Sequence, residues 1–188
     1  MRVRTLVGLT SFGALAWALV VRGSIAPDLG VGRRFRPLGP LRVRIEAPRD
    51  VVFDVASNPY LGRTPRAMKK KLEVLERGDG LVLAAHYTHA YGLTATTVDV
   101  VGFEPPERIR FRLVRGPVPH VVEEFLLHEA DGGTELEYTG ELGTDLWALG
   151  SLWGAAVART WVATVESSLA GIKAEAERRT ARTRRART

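Results

Sequence analysis

No cysteine occurs anywhere in the chain, which excludes disulfides and thiol catalysis and leaves the compartment open. Also absent are Gly-x-Ser-x-Gly, His-Glu-x-x-His, a phosphate-cradling loop and a dinucleotide fingerprint. The nearest approach to the last, "GVGRR" at residues 30–34, is too short, and no strand signal precedes it. An excess of positive charge is equally lacking over most of the chain, although the formal net charge is +6. Residues 178–188, "RRTARTRRART", hold six of the 27 basic residues and no acid, so the rest of the chain balances its 21 acidic residues. This tail has nothing apolar to bury and is expected to be disordered, either solvated or in weak contact with anionic lipid. Specific nucleic-acid binding would need basic residues on the folded part, whose charge is neutral.

Long apolar runs are lacking too, with one exception. In "MRVRTLVGLTSFGALAWALVVRG" an uncharged run extends from Thr5 to Val21, between Arg2 and Arg4 on one side and Arg22 on the other. At about 1.5 Å per residue it sits at the lower limit for spanning a bilayer. It reads as a cleaved signal peptide, as an uncleaved anchor or as a helix packed on the domain. "VVRGSIAP" is a poor cleavage site, so residues 1–22 are expected to be a membrane anchor. Arg22, Arg33, Arg34 and Arg36 outnumber Arg2 and Arg4, which places the domain on the cytoplasmic side of the membrane, the alternative being a cytoplasmic protein. Residues 23–40, rich in glycine and proline, read as a linker.

What is present is organised by period. Leu41, Val43 and Ile45 alternate with Arg42, Arg44 and Glu46, the pattern of a half-buried strand. "RDVVFDVAS" follows at helical spacing, and "YLGRTPRAM" reads as a short irregular helix. From Leu72 to Leu142 six strand signals recur between turn residues, with Asp79-Gly80 and Asp131 to Gly133 as hairpin turns. From Asp145 the residues Leu149, Trp153, Val157, Trp161, Val165, Leu169 and Ile172 recur every three or four positions, which predicts one long helix with an apolar stripe. The order is α+β: a strand, a helical segment, antiparallel strands and a long C-terminal helix.

Three stretches carry a resemblance: "IEAPRDVVFDVASNP" (Ile45–Pro59), "GGTELEYTGEL" (Gly132–Leu142) and "VESSLAGIKAEAER" (Val165–Arg178). The chain resembles the START-like superfamily, which includes polyketide cyclases and related lipid-binding proteins. The resemblance covers a domain at residues 41–177. It implies the helix-grip fold, a curved antiparallel sheet of about seven strands gripping the C-terminal helix, here preceded by an N-terminal apolar helix. A cavity commonly lies between sheet and helix in such proteins. After the first helix, where many members carry an acidic residue and a tryptophan, this chain has "SNPYLGRTP".

Within that fold "LVRGPVPHVVEEF" (Leu113–Phe125) becomes a hairpin, its prolines suited to the connection and to no central strand. His120, Glu124 and His128 have a helical metal-site spacing, but on a strand residues i and i+4 lie about 13 Å apart and cannot share an ion. No metal or cofactor is therefore expected. Alternation puts Val121, Glu123, Phe125 and Leu127 on one face, and Phe125 and Leu127 make it the inner one. Glu123 then enters the cavity, where a carboxyl needs a partner or a raised pKa. His86, Tyr138 and Arg112 or Arg115 are the candidates. Trp147, Trp153 and Trp161 serve either as core or as a ligand platform.

The expected ligand set is thus His86, Arg115, Glu123, Tyr138, Trp153 and Trp161, with no catalytic residue assigned. The cluster either receives a hydrophobic molecule (lipid, quinone or polyketide-like) or simply satisfies itself. A cyclase or aromatase would need the same cavity and an acid or base reaching the substrate. With no unambiguous catalytic set in the sequence, the binding protein is the favoured expectation.

Overall fold

In chain order the elements are strand β1 (Arg34–Ile45), helix α1 (Arg49–Leu61), strands β2 (Leu72–Arg77), β3 (Leu81–Ala90), β4 (Leu93–Glu104), β5 (Arg108–Arg115), β6 (His120–Ala130) and β7 (Gly133–Thr144), and helix α2 (Trp147–Arg185). The computed structural model describes residues 15, 18–23, 28–62, 68–90 and 92–186. The strands form one antiparallel sheet in the order β1-β7-β6-β5-β4-β3-β2, curved around α2 in the helix-grip arrangement. The N-terminal apolar helix expected at residues 1–22 falls largely outside the described residues.

Period-two alternation builds the inner face. On β6, Val121, Phe125 and Leu127 are buried. On β5, Ile109 and Phe111 are buried between exposed arginines. Leu136, Tyr138 and Leu142 of β7 lie within the same core as Val52, Phe53 and Val55 of α1. Burying each such aliphatic side chain is worth about 1.5–3 kcal/mol, which fixes the register because a one-residue slip would expose the whole set. Helix α1 ends after Pro59, which has no N–H to donate; Gly62 N–H closes the last turn on the Asn58 carbonyl at 2.8 Å.

Four sequence-based expectations change. Strand β1 starts at Arg34, because residues 34–38 pair with Thr144 to Gly140 of β7; the segment assigned to a linker therefore supplies half a strand. Helix α2 continues to Arg185, so the arginine-rich tail is helical rather than disordered over most of its length, in step with the good helix propensity of alanine and arginine. The stripe also differs. Positions four apart drift by about 40° per step on an α-helix, so Leu149 and Val165 cannot share one face. Leu149 is 69% exposed, and Gly150 and Gly154 are buried in its place, Gly150 against the Asp145 backbone and Gly154 against Leu142 and Thr144 of β7. Trp147, read as core or platform, is exposed.

No helix among the described residues is long and apolar enough to cross a membrane. Residues 1–14, on which the anchor expectation mainly rests, lie outside them. The described end of that segment touches the domain: Val21 is buried, and Gly23 lies against Thr96 and Gly116.

Candidate functional site

Two polar clusters sit between the sheet and the helices. The first centres on Glu123 of β6. Tyr138 of β7 donates its hydroxyl to Glu123 Oε2 at 2.6 Å, and Trp161 of α2 donates Nε1 to the same oxygen at 2.7 Å. The register explains the reach. Glu123 faces Gly140 across the β6–β7 ladder, and a Cβ on Gly140 would stand 2.9 Å from Glu123 Cβ and 3.3 Å from the Tyr138 hydroxyl. A glycine there leaves the tyrosine room to pass beneath the carboxyl. Oε1 has no hydrogen-bond partner among the described residues.

Burial pushes the Glu123 carboxyl above the ordinary range, against the opposing pull of the Tyr138 and Trp161 donors, and the nearby Asp99 adds to the rise. The Tyr138 hydroxyl is also pushed well up, first by burial and then by the Glu123 charge, so it stays a donor. One carboxyl oxygen is thus fixed by two protein donors, and the group is poised to hold a proton in water-poor surroundings.

The second cluster is a relay that crosses from α1 to the sheet. The Tyr60 hydroxyl lies 3.0 Å from His86 Nε2, and His86 Nδ1 lies 2.8 Å from Asp99 Oδ2, which also accepts from Thr97 at 3.1 Å. Tyr60 is pushed well up by burial, so its hydroxyl donates. His86 then accepts at Nε2 and donates from Nδ1 to the carboxylate, which defines the tautomer. Strand pairing makes this possible: His86 faces Thr97 and Ala84 faces Asp99, so His86 and Asp99 are diagonal neighbours on the inner face.

A run of tilted and edge-to-face rings joins the clusters. Tyr60 meets Phe111 at 5.9 Å, Phe111 meets Phe125 at 5.4 Å, and Phe125 meets Tyr138 at 5.8 Å. The clusters also feel each other electrostatically, since Asp99 adds to the rise at Glu123. Tyr60, His86, Glu123 and Trp161 keep part of their surface accessible although they lie between sheet and helices. Two hollows open elsewhere on the described surface. One of about 430 Å³ lies between Glu46 and the end of α2, and one of about 220 Å³ lies between β1 and the first turns of α2.

Of the residues singled out in the sequence, the structure brings Glu123, Tyr138 and Trp161 into direct contact. His86 lies on the same inner face but spends both ring nitrogens on Tyr60 and Asp99. Trp153 points to the end of the hairpin, where its Nε1 donates to the Pro117 carbonyl at 2.8 Å; with Val118 fully buried, this ties the proline loop to α2. Arg115 is not in the cluster. Alternation would have put it on the face of Phe111, but Val98 pairs with Arg115 and Asp99 with Leu113, so Val114 is a bulge residue that turns Arg115 out to solvent. Arg112 is also exposed. His120 and Glu124 lie on the outer side, paired with Glu141 and Arg108, and His128 is exposed. Among the described residues no three His, Cys, Asp or Glu side chains gather to hold a metal ion.

Sequence reasoning missed Tyr60 and Asp99. Asp99 was visible as the one acid inside the apolar run "TVDVVGF". Tyr60 carried no such signal, because it ends a helix whose orientation only the fold supplies.

Residues 41–177 match the family model described as polyketide cyclase / dehydrase and lipid transport. Among solved structures, the Zhui aromatase/cyclase from Streptomyces sp. R1128 is 22% identical, with 79% of this chain and 96% of that one covered and a TM-score of 0.58. TTHA0849 from Thermus thermophilus is 18% identical over 76% of this chain and 97% of that one, also with a TM-score of 0.58. A START superfamily protein from Mycobacterium smegmatis is 12% identical over 77% and 97%, with a TM-score of 0.51. At these identities the likeness is one of fold. No curated protein matches in sequence.

Proposed function

We propose, from the premise that the chain belongs to the polyketide cyclase/dehydrase and lipid transport family, that it binds a hydrophobic small molecule between the sheet and α2, anchored by Glu123. The supporting observation is the half-used carboxyl. Tyr138 and Trp161 hold Oε2, which leaves Oε1 for a ligand. A carboxyl that keeps its proton donates to a ligand carbonyl, and an ionised one accepts from a ligand hydroxyl. Apolar walls from Phe111, Phe125 and Val121 suit a lipid, quinone or polyketide-like body carrying one such oxygen.

The Tyr60–His86–Asp99 relay favours a second reading, an aromatase/cyclase-type enzyme. If the Tyr60 hydroxyl turns from His86 Nε2 to a bound carbonyl it can donate its proton there, while Glu123 in its ionised form takes one from a carbon next to a carbonyl. This would assign ring closure of a poly-keto chain to the same site.

Paired variants test both. In titrations with a panel of fluorescent fatty acids, quinones and polyketide analogues, Glu123→Gln should weaken the best binder about tenfold, the worth of one hydrogen bond in a buried site. Glu124→Gln, on the outer face, should leave it unchanged. If Glu124→Gln weakens binding and Glu123→Gln does not, the anchor is misassigned. Turnover of a poly-keto thioester that Tyr60→Phe abolishes without loss of binding would establish the enzyme.

A further inference from the structure

We infer that the face built from Leu29, Val31, Leu146, Trp147, Leu149 and Leu152 docks the protein on an anionic lipid surface. These side chains are between 41% and 73% exposed, and six such residues fall within two short stretches, 29–31 and 146–152, that the fold brings together, whereas the other exposed apolar side chains, such as Leu61, Leu75 and Val114, are scattered.

Specific bonds gather them. Leu146 N–H donates to the Val31 carbonyl at 2.8 Å, and Trp147 N–H donates to the Gly32 carbonyl at 3.0 Å. The Trp147 ring packs onto Gly32 so closely that a Cβ there would overlap it. Beneath this contact, Asp145 accepts from Leu29 N–H at 2.7 Å, from Gly30 N–H at 2.8 Å and from Arg33 Nε at 2.7 Å. Leu146 and Trp147 both adopt left-handed backbone angles, with φ of 68° and 48°, a conformation that costs bulky residues energy. The Asp145 latch holds two apolar side chains in solvent at that cost, one turn before Leu149 and Leu152.

Two observations select lipid as the occupant. The first is charge. Asp28 and Asp145, the acids beside the patch in sequence and space, are both taken up by Arg33, and Glu141 further along β7 pairs with His120, whereas the exposed Arg22, Arg34 and Arg36 have no ion-pair partner among the described residues. An apolar centre with a cationic rim complements anionic headgroups over acyl chains. The second is continuity. In the sequence the uncharged run from Thr5 ends at Val21, which is buried, and Gly23 two residues on lies against Gly116. The next residue of that loop, Pro117, is held by Trp153 of α2. The chain's most apolar segment therefore joins the molecule at the end where the exposed leucines stand. Docking there would set the proline loop against the bilayer. The inference does not depend on the ligand proposed for Glu123.

The absence of native cysteine makes the test clean. Single cysteines are placed at Leu152 and, in the β2–β3 turn at the other end of the strands, at Asp79. Each full-length variant is labelled with an environment-sensitive fluorophore. With vesicles of phosphatidylglycerol and phosphatidylcholine, the label at 152 should shift to the blue and brighten, and the label at 79 should not respond. Leu149→Asp combined with Leu152→Asp should lower vesicle co-sedimentation about tenfold or more, with the melting temperature unchanged because both positions are exposed. The inference fails if the protein co-sediments while the 152 label stays unchanged, since residues 1–22 alone would then bind. It also fails if the 152 label is already shielded in buffer: a dimeric mass would then mean that a second copy covers the face, and a monomeric mass that the chain's own N-terminal segment does.

Discussion

Glu123 and Asp145 are both carboxyls withdrawn from bulk water, and their partners give them opposite pH behaviour. Burial dominates at Glu123 and raises its pKa. Below the ordinary glutamate value of about 4.3 the group is protonated in the folded and unfolded states alike and costs nothing. As pH climbs through the raised folded value, the unfolded chain ionises freely while the folded one resists, and stability is lost. Glutamine keeps an oxygen for Tyr138 and Trp161 without the charge. Glu123→Gln should therefore melt close to the wild type near pH 4 and above it at pH 8, a gap read directly from thermal unfolding across pH. A gap that shrinks with rising pH would contradict the buried-acid assignment. At Asp145 the Arg33 hydrogen bond dominates, and the Gly30 and Leu29 amides add to it, holding the pKa at about 2. This stability is present above about pH 4 and vanishes as pH falls toward 2. Asp145→Asn should cost on the order of 2 kcal/mol at pH 7 and little at pH 2, as measured by denaturant unfolding.

At the level of elements, what the sequence disclosed follows from where the hydrophobic pattern is strong. The alternation of Val121, Phe125 and Leu127 was enough to turn Glu123 inward, and the turns at Asp79-Gly80 and Asp131–Gly133 were enough to order the meander. The missed features arise from geometry that no local pattern encodes. The bulge at Val114 reverses Arg115 because one extra residue on β5 shifts the alternation by one position. The pairing of Arg34 to Leu38 with β7 is a long-range ladder that the prolines and glycines of that segment disguise. The continuation of α2 to Arg185 is a property of helix propensity and of pairs such as Glu175 with Arg178 and Arg179. Since the extension beyond Arg178 buries almost nothing, truncating the chain after Arg178 should shift the melting temperature by no more than about 2–3 °C. A larger drop would show that the extension docks on the domain.

Across the whole molecule, α2 is the organising axis. Its 39 residues span about 58 Å. Exposed leucines and a tryptophan stand at its start, the Trp161 bond to Glu123 lies a third of the way along, and exposed arginines gather at its end. The sheet grips the middle stretch, where ring packing and two polar clusters replace a purely aliphatic core. Buried polar groups are costly unless something repays them. A carboxyl with one oxygen fixed and the other unpartnered is most simply repaid by a ligand. Native mass spectrometry of the full-length protein, purified without added lipid, tests this most directly. Binding at Glu123 predicts a species heavier than the polypeptide by one apolar molecule, with occupancy reduced in Glu123→Gln and intact in Glu124→Gln. The bare polypeptide mass in every preparation, persisting after incubation with lipids, quinones and polyketide-like compounds, would contradict it.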